Sequence, residues 1–282
     1  MIQKRKTSST IYLVLKYIVC IILALLSILP FYTMFINATR SSVQIINNPI
    51  SLIPSHFLSN NIELLQGKNF DVLKGFKNSF IISTGATICT VYFASLTAYA
   101  LTVYQWKLRQ PFFTFILAVM ILPAQVTGIG FYQFLYKIHM TNSFLPLILP
   151  AIAAPATVFF MRQYLQATLS VDIINSARID GAREFSIFNR IVIPIMKPAI
   201  ATQAIFAFVN NWNQLFIPSI ILTDNTKHTM PIMVGLLNGD IYRTEYGTIY
   251  LGLGLTVLPL FLVYFLLSKY IIAGVALGGV KE

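Results

Sequence analysis

Six stretches of this chain are each long and apolar enough to cross a bilayer, and that limits the fold before anything else is considered. Crossing the hydrocarbon core takes about 20 predominantly apolar residues in a helix. The runs 12–36, 79–103, 111–135, 143–161, 198–222 and 248–271 meet that requirement. The core offers no water to pair a free backbone N–H or C=O, so such a chain spans as helices that close their own hydrogen bonds. Composition agrees, because 56 % hydrophobic residues against 10 % charged leave too little polar material to coat a water-soluble globule of 282 residues. The expectation is an all-α membrane protein with six transmembrane helices over 12–271, a short tail 1–11 before them and another, 272–282, after them.

The first run follows Lys4, Arg5 and Lys6, a start that a secretory signal also has. Its apolar length exceeds the roughly 7 to 15 residues of a signal's hydrophobic region, which favours an uncleaved span. Cys20 and Cys89 both fall within apolar runs, without a second cysteine or a histidine at metal-ligand spacing, so neither a disulfide framework nor a zinc site is indicated. Lysine and arginine are retained on the cytoplasmic side. An N-terminus inside leaves seven basic residues outside, Arg40, Lys68, Lys74, Lys77, Lys137, Lys227 and Arg243, and gathers the other thirteen within. Both termini are then cytoplasmic, in a multi-pass protein of the cell membrane. The net charge of +11 is mainly a topology signal; its carriers are spread over separate loops, which argues against nucleic acid as a partner.

Two outer loops are long, 37–78 and 223–247. The second has enough apolar residues to lie against the membrane. Proline recurs in or beside the runs, at Pro30, Pro123, Pro150, Pro155, Pro218 and Pro259. Each one removes a backbone donor and frees a carbonyl that neighbours must satisfy. Ordinary kinking accounts for this pattern, and so does a bundle that must rearrange.

Between the fourth and fifth runs lies a charged island, NSARIDGAREFSIFNRIVIPIMKP, residues 175–198. Ser170 is placed to cap a short helix with Asp172 in its first turn, at the positive end of the helix dipole. That helix should run through Ile173, Ile174, Ala177 and Arg178 and stop at Asp180-Gly181, where glycine takes the left-handed conformation. A second short helix should follow, with Phe185, Phe188, Ile191 and Val192 on one face. Pro194 and Pro198 then reset the chain. Two short helices with small residues at their junction make a compact surface for another protein, and a mere connecting loop is the alternative.

The run Asn175-Ser176-Ala177-x-x-Asp180-Gly181-Ala182, with Phe188, Ile191 and Pro194 behind it, resembles the EAA loop of ATP-binding-cassette importer permeases. Further stretches resemble the carbohydrate-uptake, maltose-type branch: LTAYAL at 96–101, ILPAQV at 121–126, LILP at 147–150, FMRQYL at 160–165, NNWNQ at 210–214 and the C-terminal KYIIAGVALGGVK. The resemblance implies the type I importer permease fold with a cytoplasmic coupling-helix loop at 166–198. It implies that Asn175, Ser176, Ala177, Asp180, Gly181, Ala182, Phe185, Phe188 and Pro194 face or support a separate ATPase. The implied assembly is this chain with a second permease, two ATPase subunits that bind ATP and magnesium, and an extracytoplasmic solute-binding protein, importing a sugar of the di- or oligosaccharide class through the lipid membrane. One departure concerns docking, since the family's leading Glu-Ala is Asn175-Ser176 here. Asparagine hydrogen-bonds but forms no charge-assisted pair, and such pairs are about twice as strong.

On the fifth run, at about 100° per residue, Gln203, Asn210 and Gln214 share one azimuth, with Asn211 and Asn213 to either side and Trp212 opposite. A stripe of amides at mid-membrane suits a wet route that matches sugar hydroxyls, and equally suits glue between packed helices. An ion-coupled secondary transporter is the rival function. It would ordinarily place Asp, Glu or His within its spans, whereas all nine acids and His56, His139 and His228 fall outside the runs. No H-E-x-x-H set is present, which argues against an enzyme. The lone Gly67-Lys68 pair lacks a phosphate-loop pattern, so no nucleotide cofactor is expected in this chain.

Overall fold

A computed structural model of the protein describes residues 2–68, 70–238 and 244–279. Arg243, Lys281 and the 239–243 part of the second outer loop lie outside them. Among the described residues all regular structure is helical, as the apolar runs require. The helices in chain order are α1 (Ile2–Asn37), α2 (Ser42–Asn47), α3 (Leu58–Gly67), α4 (Val72–Val103), α5 (Arg109–Val119), α6 (Ala124–Lys137), α7 (Leu145–Ile148), α8 (Pro155–Thr168), α9 (Val171–Ile179), α10 (Glu184–Ile187), α11 (Ile193–Ile195), α12 (Lys197–Trp212), α13 (Phe216–Ile221), α14 (Met230–Leu237) and α15 (Tyr246–Gly279).

Four segments are long and apolar enough to cross a membrane, Tyr12–Asn37, Val72–Val103, Leu145–Thr168 and Tyr246–Leu266, and a fifth appears if the bent pair Glu184–Ile195 and Lys197–Trp212 is one broken span. The six uninterrupted helices expected from hydropathy are therefore not all present as such. The run 111–135 is divided between α5 and α6, and Pro123 stands in extended backbone at the break. Proline fixes its own φ and pushes the residue before it out of the helical region. The run 143–161 changes character at a 3₁₀ turn, Leu149–Ile152, which contains Pro150 and is followed by Pro155 at the start of α8. The run 198–222 breaks after Trp212 and resumes in α13. By contrast, Pro30 and Pro259 sit inside continuous helices. α15 carries on through 272–279, where the sequence suggested a tail.

The chain divides into two compact units, Met1–Phe70 with Val234–Leu258, and Asp71–Met233 with Pro259–Glu282. In the second unit α4 is the central helix, packed chiefly against α12 and α8. Its buried residues include many small ones, Ser79, Ser83, Ala86, Thr87, Thr90, Ala94, Ser95 and Ala98, which recur at helical spacing. Small residues let helix backbones approach closely, which is how helices pack where lipid supplies no hydrophobic drive between them. The Thr90 hydroxyl also donates to the Ala151 carbonyl at 3.1 Å, tying α4 to the 3₁₀ turn.

Candidate functional site

The charged island folds as its local chemistry dictates. Ser170 Oγ accepts from the Asp172 N–H at 3.3 Å, capping α9, and Asp172 lies in the first turn with Arg178 in the last. The Gly181 N–H then donates to Arg178 and the Ala182 N–H to Ala177, both at 3.0 Å. This is the Schellman closure of a helix end, and it needs a left-handed residue at Gly181, whose φ is +80°.

The second helix departs from the expected face. Phe188 and Val192 are buried with Ile187, but Phe185 is 67 % exposed. Phe188–Val192 forms a π turn in which the Ile193 N–H reaches back to the Phe188 carbonyl. Pro194 supplies no N–H, and in a regular helix its ring would press on the carbonyl four residues back; the wider turn accommodates it. Phe185 lies ahead of this turn, in the first turn of α10, and faces away from the core that Ile187 and Phe188 enter.

Burial divides the island's residues into two sets. Ala177 and Phe188 pack into the core with α4, α8 and the start of α12. Asn175, Ser176, Asp180, Gly181, Ala182, Phe185 and Pro194 face outward. Beside them Ile179 is 86 % exposed, so two large apolar side chains stand on a charged surface.

A latch that sequence reasoning missed holds the island to α4. Glu184 accepts through Oε1 from Arg178 Nε at 2.6 Å, and through Oε2 from the Tyr99 hydroxyl at 3.1 Å and the Tyr104 hydroxyl. Hydrogen bonding from Arg178 holds the Glu184 carboxyl below the usual carboxylate range. The same bond pushes the Arg178 guanidinium up, while burial raises the Tyr104 hydroxyl. Arg178 also donates to Asn175 Oδ1 at 3.4 Å and lies over the Tyr104 ring at 5.4 Å. One carboxylate thus joins α9, α10 and the end of α4. The only trace of it in the sequence is a tyrosine pair at the end of an apolar run, about 80 residues from its acid.

Two cavities adjoin α12. One, of about 380 Å³, is lined by Asn211 and Gln214 together with Thr127, Phe131, Pro146 and Pro150. The other, of about 390 Å³, is lined by Gln203, Asn210 and Asn211 together with Thr90, Thr157 and Phe206. Asn211 and Ala151 border both. Among the described residues the side chains of Gln203, Asn210 and Gln214 form no hydrogen bond, and Asn211 Nδ2 donates within its own helix to Ala207 at 2.7 Å. Asn213 is exposed, closes α12, and lines neither cavity. Gln214 lies beyond the helix, so its expected azimuth does not apply, although it does reach a cavity. Trp212 is 1 % exposed and stacked between Phe76 and Phe208, as its opposite azimuth required.

The sequence profile of a family described as "Binding-protein-dependent transport system inner membrane component" matches residues 90–276. The arabinooligosaccharides transport system permease protein AraQ of Halalkalibacterium halodurans is 32 % identical over 284 residues, 99 % of this chain and 100 % of that protein. The lactose transport system permease protein LacG of Rhizobium radiobacter is 31 % identical over 268 residues, covering 95 % and 96 %. A crystal structure of a bacterial ABC transporter involved in the import of the acidic polysaccharide alginate shares the fold, with a TM-score of 0.77 over 93 % of this chain and 97 % of that one, at 20 % identity.

Proposed function

We infer, from the premise that this chain belongs to the family of binding-protein-dependent transport system inner membrane components, that it is the permease subunit of an ATP-driven sugar importer. The cargo in this reading is a di- or oligosaccharide, the class named for the AraQ and LacG relatives. The observation that carries the proposal is the set of unpaired amides on the cavity walls. These three amides are half-buried or exposed, so they stay free at no burial cost and can meet a hydroxyl-rich solute, whereas helix glue would be paired to its neighbour.

The chain works with a second permease, a pair of ATPases and a solute-binding protein. The ATPases grip the island at Asn175, Ser176, Asp180, Gly181, Ala182, Phe185 and Pro194, while Ala177 and Phe188 root it in the spans. Nucleotide and magnesium are held by the ATPases. Uptake of radiolabelled mono- and oligosaccharides by cells lacking this chain tests the reading. Loss of uptake of one sugar class, restored by the gene, is expected; unchanged uptake of every sugar would sink it.

The route itself is tested on α12. Asn210→Ala should lower transport or change sugar preference at constant assembly. If the amide were glue, the change would cost about 0.6 kcal/mol of stability on average and leave preference alone. Trp212→Leu, in the stacked core, should instead reduce the amount of assembled complex. A Trp212→Leu variant that alters preference while Asn210→Ala does not would remove the amides from the route.

Orientation is part of the proposal, with both termini and the island in the cytoplasm. Single cysteines at Arg183 and Lys227, in a background without Cys20 and Cys89, should differ towards an impermeant thiol reagent added to intact cells. Labelling at 227 and protection at 183 is expected, and the reverse pattern would invert the topology.

A further inference from the structure

Residues 41–55, directly after α1, contain no Asp, Glu, Lys, Arg or His, which is unusual for a loop meant to stand in water. Of these residues only Ile45 is buried. Ile50, Leu52 and Ile53 are 71 %, 57 % and 75 % exposed, and Val43 and Ile46 on α2 are exposed as well.

Part of this backbone is tied down, mostly by the last turns of α1 and the residues just after it. Arg40 Nη1 donates to the Asn48 carbonyl at 2.9 Å and Asn37 Nδ2 to the Pro49 carbonyl at 3.3 Å. The Tyr32 hydroxyl donates to the Leu52 carbonyl at 2.8 Å. Ser51 Oγ meets both the N–H and the carbonyl of Ile53 at 3.2 Å. Thr39 accepts from the Ser55 N–H at 2.9 Å and from the Phe57 N–H at 3.0 Å. Pro49 and Pro54 have no N–H to satisfy. These bonds hold the chain against α1, while the backbone groups of Ile50 and Ser51 are left to the hydrated headgroup layer, which suits an interfacial position rather than the hydrocarbon core.

The Tyr32 bond also fixes a depth. Tyr32 precedes the end of α1 at Asn37 by five residues, about 7.5 Å along a helix, so Leu52 doubles back beside the span. That span has none of its most apolar window buried by the rest of the chain. Amphipathic segments that lie in the membrane interface sink their apolar face about 5–10 Å into the headgroup and acyl boundary.

We propose that residues 49–54 form a lipid-anchoring loop, seated in the bilayer interface beside the Asn37 end of α1 with Ile50, Leu52 and Ile53 against lipid. The loop holds that end of the span at a fixed depth. The inference needs only that α1 crosses the membrane, and it is independent of cargo and of topology.

Spin labels placed one at a time at Ile50, Leu52, Ile53 and, as a control, Glu63, in the full chain carrying Cys20→Ser and Cys89→Ser in lipid nanodiscs, provide the test. Collision with oxygen should exceed collision with a water-soluble nickel chelate at the three loop positions, with the order reversed at Glu63. Nickel exceeding oxygen at Leu52 would overturn the proposal. So would an immobilised label shielded from both reagents, which would mean that a protein partner covers the loop. Adding Tyr32→Phe should shift the Leu52 label towards nickel, because the Leu52 carbonyl loses its donor; an unmoved label would refute the pinning of the loop to α1.

Discussion

Gly181→Val is expected to abolish sugar-stimulated ATP hydrolysis while the chain still reaches the membrane. A Cβ at Gly181 would have nothing within 4 Å, so the penalty is not a clash but the φ of +80°. An L-residue in this region pays about 1–2 kcal/mol, and a β-branched one is a genuine outlier there. That cost is comparable to the net worth of the two closing bonds to Arg178 and Ala177, about 1 kcal/mol each, so the turn opens. Ala182 and Arg183 then point elsewhere, and Glu184 leaves Arg178. Asparagine tolerates the left-handed conformation, which makes Gly181→Asn the control that should keep most of the stimulation. Purified complexes of Gly181→Val with normal subunit composition and normal stimulated hydrolysis would remove the island from the coupling route.

Glu184→Ala should produce a comparable loss by a different path. The Arg178 pair alone is partly exposed and is worth at most about 1 kcal/mol. The same carboxylate also accepts from two tyrosines, however, and losing it leaves the Tyr99 hydroxyl without its acceptor at the end of α4. The island should then stay folded and rooted by Ala177 and Phe188, with its α9–α10 corner no longer tied to the end of α4. The expected result is ATPase activity that no longer responds to sugar, with the ATPases still bound, whereas full stimulation in Glu184→Ala would reduce the latch to a bystander. The sign of any pH effect follows from the depressed carboxyl. Its contribution is complete above the ordinary carboxyl value of 4.5 and is lost as the pH falls below that towards the folded-state value. Stimulation should therefore show no dependence on this group between pH 6 and 8.

What the sequence made legible was local. The cap at Ser170, the stop at Gly181 and the burial of Trp212 each follow from a few neighbouring residues. What it hid depended on phase or on distance. Phe185 was assigned to the buried face by its offset of three from Phe188, although core contact begins only at Ile187, and Gln214 received an azimuth on a helix that had already ended. The division of the third run followed from Pro123, which composition weighs no differently from Pro30, although Pro30 leaves its helix intact. Glu184 was one acid in a charged loop. Its meaning came from Tyr99 and Tyr104, which only the packing of α4 against the island brings to it.

The 80° bend between Glu184–Ile195 and Lys197–Trp212 makes the end of the island a bell crank. Met196, fully buried at the corner, is the fulcrum; the short arm is Glu184–Ile195, and the long arm is α12, 16 residues or about 24 Å. A tilt of about 10° at the corner would carry the far end of α12 sideways by about 4 Å, roughly the width of a packed side chain. Asn210 and Asn211 ride on that far end. In the proposed reading a small turn of the island would redraw the walls of both cavities at once, with no change in the internal structure of either arm.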